Sequence, residues 1–173
     1  MKPTSMKRII LSLIVLFAAA SANAQGTNFE EMAKIKGVEY VHVGKDMIKL
    51  AGMSGKDLQL GGMEFKLEEG KGADFYDQFD DMKVFTCEEK GSIRKFTKTA
   101  LNLLKGEQWE PLIDTKDEDG GIIKIYLSKN GEHSTNAFLI VEDEEAHLVV
   151  INGTFDLAKM MQEGMKGKVE VNN

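Results

Sequence analysis

The apolar pattern changes period at Gly106, and that change constrains the fold more than any other feature of the chain. Before it, Ile93, Phe96, Ala100, Leu103 and Leu104 recur with the helical repeat, which predicts a helix over 92–105 with one stripe in a core. After it, apolar and polar residues alternate. Trp109 to Ile113, Ile122 to Leu127, Ala137 to Val141 and Leu148 to Ile151 read as four strands. The polar segments 116–121, 128–134 and 142–146 between them are short enough for hairpins. Strands joined this way run antiparallel. Their alternation assigns one sheet face to helices and one to solvent. The fold class is therefore α+β: an antiparallel sheet with a C-terminal four-strand meander and helices packed on one face.

The first half supplies more elements of both kinds. Asn28 is a good N-cap with Glu31 three positions on, Phe29, Met32 and Ala33 share a face, and Gly37 stops the helix they begin. Val38 to Val43 and Met82 to Cys87 read as strands, and Lys45 to Ala51 as a helix closed by Gly52. Six of the seventeen glycines fall in 52–72. There Leu58 to Leu60 and Met63 to Leu67 flank Gly61-Gly62, the pattern of an excursion hairpin, with a mobile loop as the alternative. Phe75 and Phe79 mark a short helix or turn. A last helix is expected from about Thr154–Asp156 through Leu157, Met160, Met161 and Met165, with a polar tail over 168–173.

The N-terminus carries an export signal. Lys2, Lys7 and Arg8 precede an apolar run from Ile9 to Ala20, interrupted by Ser12 alone, and Ala22-Asn23-Ala24 presents small residues where a signal peptidase cleaves. The run is shorter than the roughly 20 residues a spanning helix needs. We expect residues 1–24 to be a signal peptide cleaved after Ala24, leaving 25–173 as a single α+β domain in the periplasm or medium, with no transmembrane segment. Without Lys2, Lys7 and Arg8 the chain keeps 19 of its 22 basic residues against 28 acidic ones, a net charge of −9. That charge repels phosphate backbones and argues against a nucleic-acid partner. A single cysteine, Cys87, forms no intramolecular disulfide, so the core must hold the fold.

No residue pattern announces a site, so no catalytic, cofactor-binding or metal-binding residues are assigned from the sequence. His42, His133 and His147 have no spacing that puts two imidazoles on one face, and zinc usually takes three or four protein ligands. Cys87 ends an apolar strand and reads as a buried, inert thiol. Carboxylates cluster at Asp74/Asp77/Asp80/Asp81, at Asp114/Asp117/Glu118/Asp119 and at Glu142/Asp143/Glu144/Glu145. Turns rich in carboxylates can hold calcium, but the Asp114 segment lacks the alternating ligands and closing glutamate of an EF-hand loop. Solvated turns account for all three clusters. Arg94, Lys95, Lys98 and Lys105 form a basic strip opposite the apolar stripe of helix 92–105, and a solvated outer face explains it better than contact with an anionic partner or lipid headgroups. The eight methionines left after cleavage suit either core filling or an adaptable apolar groove.

Several short signatures carry a family resemblance: Gly37-Val38 with Val41 and Val43, Lys45-Asp46-Met47, Met82-Lys83-Val84-Phe85, and Ile151-Asn152-Gly153-Thr154-Phe155-Asp156-Leu157. On these residues the chain resembles the secreted Bacteroidetes proteins grouped as domain of unknown function 4252, over most of 28–165. The resemblance implies a Gram-negative envelope location, with genes that can lie near envelope-signalling sigma factors, and no reaction. Gln25 stands where many members carry a lipobox cysteine, and Asn136 or Ala137 where they carry a glutamate. The expectation is an exported, non-enzymatic envelope protein acting as a binding or interaction module toward a protein or small ligand. The alternatives are a carrier of an apolar ligand, which needs an enclosed cavity of about 300 Å³ or more, and a hydrolase whose acids converge only in three dimensions.

Overall fold

The computed structural model describes residues 27–55, 58–60, 63–65 and 72–159. The expected signal peptide, Gly61 and Gly62 of the expected hairpin turn, the methionines at 160, 161 and 165 and the tail over 168–173 lie outside them. Strands β1 (Val38–Gly44), β4 (Phe79–Cys87), β5 (Glu110–Lys116), β6 (Ile122–Asn130), β7 (His133–Val141) and β8 (Ala146–Gly153) form one antiparallel sheet in the order β1-β4-β8-β7-β6-β5. The α+β class and the C-terminal meander β5-β6-β7-β8 are as the alternation requires. β2 (Leu58–Leu60) and β3 (Met63–Phe65) pair as a separate hairpin, with Leu60 opposite Met63. The helices are α1 (Lys45–Met53), α2 (Ala73–Tyr76) and α3 (Lys90–Leu103), and Phe29–Lys34 forms a 3-10 helix whose N-cap Asn28 accepts from the Glu30 amide.

The helices do not share one face, which corrects the sequence reading. On the first face, α3 and the 3-10 helix bring Phe96, Ala100, Leu104, Phe29 and Met32 onto Phe85, Cys87, Leu139, Leu148 and Val150. On the second, Ile48 of α1 and Tyr76 of α2 meet Val43, Met82, Val84 and Val149. The reason lies in β4 and β8, whose apolar residues run almost without interruption, Val84-Phe85 and Leu148-Val149-Val150 being buried in sequence. Strands with that composition need cover on both sides.

Strand limits also differ. β6 and β7 pair to Asn130 and His133, leaving Gly131 and Glu132 as the turn, with Gly131 at φ +65°. A two-residue hairpin loop needs such positive φ values. β4 starts at Phe79, three residues earlier than expected, through an irregularity that leaves Asp80 unpaired between Phe79↔Gly153 and Asp81↔Asn152. The expected last helix is helical at 157–159, where Asp156 accepts from the Lys159 amide at 3.0 Å.

One buried polar group is not balanced. The side-chain amide of Asn136 donates to Ser134 Oγ at 3.2 Å, and Ser134 passes its proton to the Phe155 carbonyl at 3.0 Å. Asn136 Oδ1 has no hydrogen-bond donor among the described residues. A buried acceptor without a partner costs about 1–3 kcal/mol. Asn136→Leu is therefore expected to hold or raise stability, by up to about 1 kcal/mol after the lost Ser134 bond is counted. A urea midpoint that falls instead would show that a water satisfies Oδ1.

Candidate functional site

Three connections that are distant in sequence meet at one end of the sheet. The β5–β6 turn is built by Asp117, whose carboxylate accepts from the Gly121 amide at 2.6 Å while its own amide donates to the Gly121 carbonyl at 2.9 Å. Gly120 takes φ +89° to close it. The β7–β8 turn closes through the Glu142 amide, which donates to the Glu145 carbonyl at 2.8 Å. The third contribution is the β4–α3 junction at Glu88 and Lys90. Between them lies an open cleft of about 670 Å³ lined by Glu88, Lys90, Asp117, Asp119, Gly121 and the run Glu142 to Glu145. The walls carry seven carboxylates and one ammonium, and that ammonium is taken up by Glu144 at 2.5 Å.

Asp117 and Asp119 from one acidic cluster and all four carboxylates of another thus share one surface, while Asp114 accepts from Lys124 at 2.5 Å. The third is dispersed: Asp77 binds Lys49 at 2.9 Å, Asp80 faces His133 at 3.1 Å, and Asp81 accepts from Asn152 at 2.8 Å with His42 at 3.9 Å. Asn152 Oδ1 in turn accepts from Thr135 at 2.7 Å, which extends this polar row across β4, β8 and β7.

The family described as a domain of unknown function (DUF4252) matches residues 17–162. The chain belongs to this family. No curated protein matches it, and no solved structure does.

The histidines of this DUF4252 chain each sit beside a carboxylate, but they do not converge. His42 is on β1 and His133 on β7, three strands apart in the sheet and four residues out of register, hence separated by more than the roughly 14 Å that the strand spacing alone gives. Among the described residues, no three His, Cys, Asp or Glu side chains are placed to hold a metal ion. His147 is buried, with Nδ1 3.2 Å from Thr86 Oγ1 and Nε2 3.4 Å from Glu145 Oε2. This order of hydroxyl, imidazole and carboxylate has the components of a nucleophilic triad, yet Thr86 is only 1% exposed, so no substrate reaches it. The line runs from the sheet to Glu145, on the rim of the cleft. Sequence reading missed it because Thr86 and His147 become neighbours only through β4–β8 pairing.

Cys87 is buried, burial pushes its thiol pKa up, and its Sγ–H points to the Glu89 carbonyl at 3.7 Å. A thiol kept protonated is a poor nucleophile. Arg94, Lys95, Lys98 and Lys105 lie away from buried Phe96 and Ala100. Of the described methionines, Met32 and Met82 fill the two cores, while Met47 and Met53 lie exposed on α1. Among the described residues, no helix is long and apolar enough to cross a membrane.

Proposed function

We propose that this DUF4252 protein is an exported, non-enzymatic protein of the Gram-negative envelope, and that it binds a cationic segment of a partner protein in its acidic cleft. Export rests on the basic, apolar and small-residue blocks of residues 1–24. The binding reading rests on one observation: turns from separate parts of the chain are brought together into a concave surface with seven carboxylates around one paired lysine. Solubility alone asks for dispersed charge, whereas like charges gathered in a cleft focus field toward an incoming cation. The cleft is open and lined by charge, which suits a basic peptide segment better than an apolar small ligand.

The test is recovery of a partner from envelope extract on immobilised protein. The wild type should retain a partner that is released as salt is raised to about 0.5 M, since screening at that ionic strength reaches only a few ångströms. Glu142→Lys with Asp143→Lys, both on exposed turn positions, should fold normally and lose that partner. Equal recovery on wild type and variant would remove the cleft from the function.

A further inference from the structure

The two edges of the sheet are not alike. β5 is defended against strand addition: Pro111 lacks an amide hydrogen, Leu112 is unpaired where the register shifts, and Asp114 and Lys116 are exposed. β1 lacks the proline and the register shift, and Glu39 is its one carboxylate. It runs Val38–Gly44 in unbroken register with β4, without proline or lysine, and its other edge has no partner among the described residues. Such an edge is a template for another strand.

A second unpartnered feature lies beside it. α1 follows β1 directly and packs Ile48 over β1 and β4. Its Lys45 and Lys49 turn toward Asp77, next to α2. At 100° per residue, Met47 then falls on the opposite flank of α1, away from Lys45 and Lys49. Met47, Leu50 and Met53 are 57%, 64% and 62% exposed, and with Ile123 they are the large apolar side chains that lie exposed among the described residues. Exposed apolar side chains gathered on one element mark a contact surface.

We propose that the protein forms a two-fold dimer in which β1 pairs antiparallel with β1 of a second copy, joining two six-stranded sheets, and in which the outer sides of the two α1 helices pack together. A second copy fits better than an isolated foreign strand, because a lone strand would satisfy the edge and leave Met47 and Leu50 in water. A stable interface also needs about 1,000 Å² or more of buried surface, beyond what one strand edge supplies. The sequence of β1 is self-complementary about Val41. With Val41 on the axis, Tyr40 lies opposite His42, Glu39 opposite Val43 and Val38 opposite Gly44, so no like charges meet.

Sedimentation of protein purified from cells expressing the full chain, run from about 1 to 100 µM, tests this, because a dimer dissociates on dilution. The expected result is a twofold mass at the upper concentrations. Met47→Lys with Leu50→Lys, both at exposed positions, should weaken association by about tenfold or more while circular dichroism stays unchanged. Hydrogen exchange of the wild type gives a readout free of mutation: amides of 38–44 should gain protection with concentration, and those of 110–116 should not. Protein that is monomeric at about 100 µM overturns the proposal. So does a dimer indifferent to both lysines, or one that protects β5 instead of β1.

Discussion

Phe96→Ala is expected to lower unfolding stability by about 3–5 kcal/mol, while Lys98→Ala, two residues on, stays within about 0.5 kcal/mol. Phe96 is fully buried between α3 and the first face of the sheet, in the cluster with Phe85, Leu139 and Leu148. Alanine there forfeits the transfer energy of the ring and leaves a cavity that strands fixed on both sides are poorly able to close. Lys98 lies on the solvent side of the same helix. Urea unfolding of the two variants checks the assignment, and comparable midpoints would mean that α3 turns a different side toward the sheet.

Gly153→Ala is the second large effect, expected to cost about 3 kcal/mol or more through overpacking. A Cβ at this position would run into the Gln78 carbonyl oxygen, and the Phe155 ring would stand 3.0 Å away. The Gln78 carbonyl is not free to retreat, because it accepts the Thr154 amide at 2.8 Å. The clash is thus with backbone held on both sides. Thermal unfolding reads it directly, and an unchanged midpoint would show that β4 and β8 separate at this end more easily than their pairing implies.

Elements whose signal is local were legible in the sequence. The stripe Ile93-Phe96-Ala100-Leu104 announces α3, and the alternation after Gly106 announces the meander, because both periods are properties of a single segment. Strand order is not such a property. Nothing local says that β4 inserts between β1 and β8, and that insertion buries both faces of β4 and sets helices on either side of the sheet. The same non-local step separates legible from hidden at the cleft. Asp117, Asp119 and Glu142 to Glu145 are visible as acidic turns, but their meeting with Glu88 depends on β4, β6, β7 and β8 starting or ending at one level. In the cluster Asp74/Asp77/Asp80/Asp81 the opposite happened. The unpaired Asp80 and the short α2 send successive carboxylates to different bases, so a run that looks continuous in sequence has no common target.

The position of β4 also governs the order in which the molecule can be completed. Its two neighbours are β1, at the start of the described chain, and β8, at its end. β1 and β4 can pair early, but Phe85 and Cys87 gain their partners Leu148 and Ala146 only when the last strand arrives. Contacts this far apart in sequence carry a high loop-closure cost and slow the search for the native state. A polypeptide with this wiring stays unfinished until β8 is present, so the fold is closed by the last of the described strands to be made.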